Sequence, residues 1–433
     1  MSATLTGIVG LGVLVVLLFS RMPVGFTMGF IGFLGFAYVV SIGAAASVVS
    51  RDVVSTLSSY DLSVMPLFVF MGQLAFEGGM AVKLYDCAYQ FLGRLRGGLT
   101  MATIGASALF ASVCGSTNAS AATMATVSLP VVKKFKYDPG FAAATAAAGG
   151  SLGILIPPSI VLIIYGIITE TDIGKLFAAG IFPGILLSIL FIIAIAIAVR
   201  IKPTLGPKGP ETSTKEKLSS LLGIIDPFLL FVILMGGLFF GFFTPTEAGA
   251  VGAFGVFVLL VIRGRISWRV FRDALYATLK INGMIYIIAS GAIVFGHFFA
   301  VTRIPFDLAA WITSLNMPRT LTISMVLLVY IIGGCFMDSL AMILLTVPIF
   351  FPLLVSLGYD PVWFGVMIIL ITEIGVITPP VGINVYVVGM VTEVPLEQIF
   401  KHILPFFFAE LVCIAILIAF PQMALFLPSL MGR

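Results

Sequence analysis

Residues 150–161 read GSLGILIPPSIV. Two adjacent prolines stand inside an apolar run that, with its flanks, is long enough to cross a bilayer. Proline removes a backbone donor and its ring clashes with the carbonyl one turn back. A spanning helix built on this stretch must therefore break. The rest of the chain fixes the medium around that break. Of 433 residues, 60% are hydrophobic and 10% charged, and the mean hydropathy is +1.19. Soluble domains are about a quarter charged, so the composition excludes a water-soluble protein. It reads as an all-α polytopic membrane protein. The net charge of +4 is distributed over short loops between apolar spans, which argues against nucleic-acid binding.

At ~20 apolar residues per span, helices are expected near 3–20, 23–46, 61–78, 140–168 and 176–200. A second set is expected near 226–243, 246–262, 281–300, 361–391 and 403–425. The stretches 80–94 and 266–278 are amphipathic with basic polar faces, the pattern of helices lying along the interface. The first apolar segment lacks a basic leader and a small-residue cleavage site, so it reads as an uncleaved span. Cys87, Cys114, Cys335 and Cys413 are scattered, carry no metal spacing, and read as apolar packing residues.

Two stretches fit neither class: 99–132 around SVCGSTNASAAT and 320–357 around GGCFMDSLAM. Each has two short apolar arms flanking a small polar turn. They read as re-entrant hairpins whose tips must be enclosed, because irregular backbone is tolerated at membrane depth only inside protein or along a cavity.

The halves repeat. YDP at 137–139 precedes Pro157–Pro158 by the distance at which YDP at 359–361 precedes Pro379–Pro380. Pro23 and Pro245 lie 222 residues apart, as do Pro183 and Pro405. Such spacing indicates internal duplication. The expected halves are 1–205, with hairpin 99–132 and broken helix 140–168, and 223–433, with hairpin 320–357 and broken helix 361–391. A cytoplasmic linker, 206–222, joins them. Each half then holds five spanning helices plus one re-entrant hairpin. Five is odd, so the copies are inverted in topology. With both termini outside, all 23 Lys and Arg except Arg51, Lys175, Arg303, Arg319 and Arg433 fall on the cytoplasmic side, as the positive-inside rule requires.

Prolines at these breaks deprive carbonyls of their intrahelical donors, and each such group costs several kcal/mol in hydrocarbon. A sodium ion suits freed carbonyls, hydroxyls and amide oxygens, and inverted-repeat transporters keep substrate and coupling ions at broken helices near the midplane. The motifs GSTNASAAT, GILIPPSI, FTPTEAGA, GGCFMDSLA and TEIGVITPPVGINVYV resemble the large membrane subunit of tripartite ATP-independent periplasmic (TRAP) transporters, DctM type, over nearly the whole chain. The resemblance implies a sodium-driven, elevator-type importer of organic acids in a bacterial inner membrane. It also implies two partners: a separate small four-helix membrane subunit (DctQ type) and a periplasmic substrate-binding protein (DctP type).

About two sodium ions are expected. The first would use Ser116 and Asn118 of one hairpin tip with backbone oxygens of Gly153 and Ile156. The second would use Gly334 and Asp338 of the other tip with Gly375 and Thr378. Asp338 stands in an apolar run, where an ionisable group is a functional candidate by default. Asn118 is taken as its approximate counterpart, which makes the two sites differ in charge. Thr117, Ser159, Glu373 and Asn384 border the same cavity as substrate contacts. No arginine stands near either tip, so an anion would rest on hydroxyls, amides and helix N-termini. Glu247 of TPTEA reads as a helix cap, and the lone His297 as a satisfied interior group. The rival function is a single-component sodium/divalent-anion symporter working without a binding protein. Neighbouring reading frames distinguish the two. No catalytic motif supports an enzyme.

Overall fold

The computed structural model describes residues 3–20, 22–209, 213–304, 307, 310 and 318–431. Arg433 and residues 210–212 of the expected linker lie outside them. The first half runs through α1 (Ala3–Phe19), α2 (Val24–Val39), α3 (Ile42–Leu57), α4 (Val64–Glu77) and α5 (Met80–Leu92) to the helices of the site. These are α6 (Gly98–Cys114), α7 (Thr117–Lys134), α8 (Pro139–Leu155) and α9 (Ile160–Thr169), followed by the long α10 (Ile173–Ile201). The second half holds α11 (Thr214–Phe239), α12 (Pro245–Ile262), α13 (Trp268–Thr302), α14 (Arg319–Gly334) and α15 (Ser339–Ser356). It ends with α16 (Pro361–Ile377), α17 (Ile383–Thr392), α18 (Leu396–Ala419) and α19 (Gln422–Leu430).

Both double-proline stretches break their helices as expected, between α8 and α9 and between α16 and α17. Both hairpin stretches turn at their polar tips, between α6 and α7 and between α14 and α15. The YDP motifs are helix starts. Asp138 and Asp360 accept from the backbone N–H groups of Phe141 and Trp363, and the following prolines occupy the first turn, where a missing donor costs nothing. Glu247 closes a capping box with Thr244, and the four cysteines are free and buried.

Several boundaries differ from expectation. The expected span 23–46 stops at Val39, because Ser41 caps the new helix α3. The expected interfacial piece 266–278 is not separate. It continues without interruption into 281–300 as the 35-residue α13, about 52 Å long at 1.5 Å per residue. The linker 206–222 shrinks at its end, since a capping box of Ser213 and Glu216 starts α11 at Thr214. The span 403–425 divides at Phe420 and Pro421 into α18 and α19. Ten crossings were expected. Among the described residues seven stretches are long and apolar enough, with α8 and α9 counted together as one, or eight if α3 and α4, bent by 50°, count as another. α1 and α2, with 17 and 16 residues, fall short of the ~20 that a bilayer asks for. α15 qualifies by itself, although it is one arm of a hairpin.

The centre of the fold is formed by the two broken helices. Every residue of α8 from Gly140 to Leu155 and every residue of α16 from Trp363 to Ile377 is buried. The run AAATAAAGG (142–150) leaves α8 nearly without side-chain bulk. Neighbouring backbones approach it closely, the usual basis of helix association in membranes.

Candidate functional site

Each hairpin tip is shaped by its own local chemistry. α6 ends on Gly115 at φ 64°, a left-handed conformation that glycine adopts without steric cost. Ser116 then caps α7 by accepting from the Ala119 N–H at 3.5 Å. The Ile160 N–H donates to the Gly115 carbonyl, which ties this tip to the start of α9. In the second tip Asp338 caps α15, accepting from the Leu340 N–H at 3.2 Å. Ser116 and Asp338 thus hold the same structural position, 222 residues apart. The counterpart of Asp338 is therefore Ser116 and not Asn118. The helix starts reveal this register, whereas the loop sequences between them differ in length and composition.

The two tips meet: Asn118 Nδ2 donates to Asp338 Oδ1 at 3.1 Å. Beside this junction lies the Glu373 carboxylate of α16, fully buried and held from both hairpins. Thr117 Oγ1 donates to one of its oxygens at 2.8 Å and Ser339 Oγ to the other at 2.7 Å. Asn384, at the start of α17, donates to Thr117 Oγ1 at 2.8 Å and to the Ala147 carbonyl of α8 at 3.3 Å. One continuous polar chain thus links both tips to both broken helices.

The broken helices approach these tips through glycine. A Cβ on Gly153 would lie 2.6 Å from the Ser116 carbonyl oxygen. A Cβ on Gly375 would lie 2.4 Å from the carbonyl carbon of Gly334. Past each glycine the chain loses donors: Pro157 and Pro158 cannot serve the carbonyls of Gly153 and Ile154, nor Pro379 and Pro380 those of Gly375 and Val376. Thr378 ends α16, donating its N–H to the Gly375 carbonyl and its hydroxyl to that of Ile374. Ile156 ends α8, donating its N–H to Leu152, with its side chain packed against Gly184. Ser159 does not join the polar chain. It is fully buried and caps α9 by accepting from the Leu162 N–H. The first proline pair is buried, while the second is exposed at the surface of this chain.

Sequence reasoning passed over Ser339, Ser151 and Glu410. The 222-residue spacing would have found Ser339 from Thr117, and an acidic residue inside an apolar span is itself the signal for Glu410. His297 lies outside the cluster, with Nε2 at 2.8 Å from the buried Asp52 of α3, whose other oxygen accepts from Arg51.

Chemically, the tips and breaks offer a half-buried carboxylate, amide and hydroxyl oxygens, and backbone carbonyls that the prolines cannot serve. Asn118 Oδ1 is buried with no partner. Such a donor set fits a hard monovalent cation. Among the described residues no group of three His, Cys, Asp or Glu side chains is placed to hold a transition metal.

The grip on Glu373 is testable through stability. Thr117→Val and Ser339→Ala are each expected to cost about 1.5–3 kcal/mol, the range for hydrogen bonds to charged groups. Thermal unfolding of the single and double variants measures it. A double variant no less stable than either single one would show that the carboxylate does not depend on both hydroxyls.

Residues 11–423 match the family described as tripartite ATP-independent periplasmic transporter, DctM component. The chain is 37% identical over 378 residues to the C4-dicarboxylate TRAP transporter large permease protein DctM of Pseudomonas aeruginosa, covering 87% of this chain and 88% of that one. It is 32% identical to the sialic acid TRAP transporter large permease protein SiaM of Vibrio cholerae, covering 96% of both. It is 30% identical to the isethionate TRAP transporter permease protein DctMQ of Oleidesulfovibrio alaskensis, over 91% of this chain and 62% of that longer one. Among solved structures, the Alcanivorax borkumensis YdaH transporter shares the fold with a TM-score of 0.63, at 15% identity over 86% of this chain and 88% of that one.

Proposed function

We propose, from the premise that this chain belongs to the DctM component family of the tripartite ATP-independent periplasmic transporters, that it is the sodium-coupled large permease for a small organic anion. It is a multi-pass protein of the inner membrane and a transporter permease, not an enzyme. The observation that carries the sodium-coupled reading is the Asn118–Asp338 contact, which closes both hairpin tips over the two broken helices. About two sodium ions would be held at this junction: one by Ser116, Asn118, Gly153 and Ile156, the other by Gly334, Asp338, Gly375 and Thr378. Bound sodium supplies the charge that the freed oxygens need.

Thr117, Glu373 and Asn384 form the wall beside these ions, where the substrate would rest. The relatives are named for C4-dicarboxylate, sialic acid and isethionate, all small acids bearing carboxylate or sulfonate. A carboxylate or sulfonate is accordingly the substrate class proposed here. It would be delivered by a periplasmic binding protein of the DctP type, and a small four-helix DctQ-type subunit would complete the membrane complex. The halves would be inverted repeats with both termini periplasmic, and the hairpins and broken helices would move together as an elevator against the remaining helices.

Coupling follows from charge. The membrane potential opposes a lone entering anion by roughly 2.3 kcal/mol per charge per 100 mV. Two sodium ions moving with a monoanion reverse the sign, and one net positive charge supports roughly 50-fold accumulation at that potential. Proteoliposomes containing the chain and its small subunit, supplied with loaded binding protein, are expected to accumulate substrate only under an inward sodium gradient. Undiminished accumulation without any sodium gradient would end this reading.

A further inference from the structure

Away from the ion and substrate cluster, α5 and α11 meet the end of α12 at a groove lined by Lys83, Asp226, Pro227, Leu260, Arg263 and Arg265. α12 closes on Gly264 at φ 64°, a left-handed turn that lets the Arg265 N–H return to the Leu260 carbonyl at 2.9 Å. This turn delivers two arginines to the groove. Arg263 grips Asp226 of α11 through two N–H groups, at 2.7 and 2.9 Å. Arg265 Nη1 donates at 3.4 Å to the carbonyls of Gly78 and Gly79, where α4 passes into α5. α11 approaches α5 through Gly223, where an added Cβ would lie 3.3 Å from the Lys83 Cβ.

Three cations (Lys83, Arg263, Arg265) against one acid (Asp226) leave the groove a surplus of two positive charges. Lys83 is half-buried, yet it forms no ion pair with any described residue. Burial, and then repulsion from Arg265 and Arg263, lowers its pKa from the ordinary lysine range. Basic residues at the end of a span can serve topology alone. Here, however, the arginines are fixed by tertiary bonds that tie the end of α12 to α11 and to the α4–α5 junction. The apolar span of α12 stops at Ile262, beside this cluster. The exposed indole of Trp268, three residues after Arg265, marks the level of lipid headgroups. Leu229 and Ile233, one and two turns further along α11 from Asp226, are exposed apolar surface. The space inside the groove is about 20 Å³, room for one water. A free anion finds no enclosure there, whereas a lipid adds its chains to the contact.

We propose that this groove binds the phosphate headgroup of an anionic phospholipid, with Lys83 and Arg265 contacting the phosphodiester across the rim and the acyl chains lying along α11. A lipid held here braces the joint at Gly79, φ 70°, through which α4 turns into the helix that leads to the first hairpin. The site is separate from the proposed sodium positions and independent of them.

Native mass spectrometry of the full chain, alone and with its small membrane subunit, tests the site. The probes are phosphatidylglycerol, phosphatidylcholine with the same chains, and inorganic phosphate. Phosphatidylglycerol is expected to bind roughly tenfold more tightly than phosphatidylcholine, and inorganic phosphate is expected not to displace it. Lys83→Gln removes no hydrogen bond of the fold and is expected to weaken phosphatidylglycerol binding about fivefold. Lys83→Arg should restore it, and Lys280→Gln, an exposed lysine of α13 outside the groove, should leave it unchanged. Equal affinity for the two lipids, or an equal loss in Lys280→Gln, overturns the proposal. Displacement by inorganic phosphate overturns it in favour of a free-anion site. Loss of the lipid when the small subunit is present overturns it in favour of a protein contact. None of these readouts involves uptake, so failure of sodium-driven transport and failure of the lipid site are separate results.

Discussion

Asp338→Asn is expected to leave the fold intact and to raise the sodium concentration needed for half-maximal uptake by roughly 100-fold. Asparagine is as good an N-cap as aspartate, so the bond from the Leu340 N–H is retained. Aspartate uses its other oxygen for Asn118 Nδ2, so the new amide nitrogen meets Asn118, whose unpartnered Oδ1 accepts from it once that side-chain amide turns over. The contact between the tips is thus kept while the charge disappears. Removing one member of a buried charge pair typically costs about 3–5 kcal/mol, and each 1.4 kcal/mol is tenfold in affinity. The prediction of roughly 100-fold stays at the lower end of that range, because Asp338 is half-buried rather than enclosed. Sodium titration of uptake, with thermal unfolding as the control, separates charge from structure. An unchanged sodium dependence in a stably folded Asp338→Asn protein would remove this residue from the ion site.

Gly375→Ala is expected to reduce transport severely although the substitution adds a single methyl group. The new Cβ would lie 2.4 Å from the Gly334 carbonyl carbon and 2.5 Å from its Cα. Both are backbone atoms, so no side chain can rotate away. The second hairpin tip must move, and Asp338 and Ser339 move with it. Overpacking of this kind costs about 1–3 kcal/mol in stability. The functional loss should be larger, on the order of 100-fold, since ångström displacements at an assembled site act at that scale. Gly283→Ala in α13 is the matched control, because nothing lies within 4 Å of its added Cβ. Equal uptake by the two alanine variants would show that the close contact of α14 with α16 is dispensable.

Much of this arrangement was legible in sequence because it is enforced locally. Proline 157, 158, 379 and 380 cannot donate, so α8 and α16 had to stop wherever the chain placed them. Asp138 and Asp360 before proline announce helix starts in any medium. Asp338 and Glu373 were conspicuous as acids in apolar runs. The errors have local causes as well. Lys280 divides two apolar stretches by composition, yet an exposed lysine does not interrupt a helix, and α13 runs straight past it. Asn118 was matched to Asp338 because both are polar tip residues; the helix caps, which set the true register, are backbone conformations that composition does not reveal.

By itself the sequence determined the all-helical membrane class, the two breaks, the two polar tips and the pairing of each tip with a break. All of these follow from donors that proline lacks and from the cost of bare backbone in hydrocarbon. Only the tertiary structure decided that the tips form one junction. Asn118 and Asp338 are 220 residues apart, and Thr117 and Glu373 are 256 apart. No local propensity encodes a contact across such distances. It depends on how closely the glycines of α8 and α16 let their neighbours approach, and that is settled by packing.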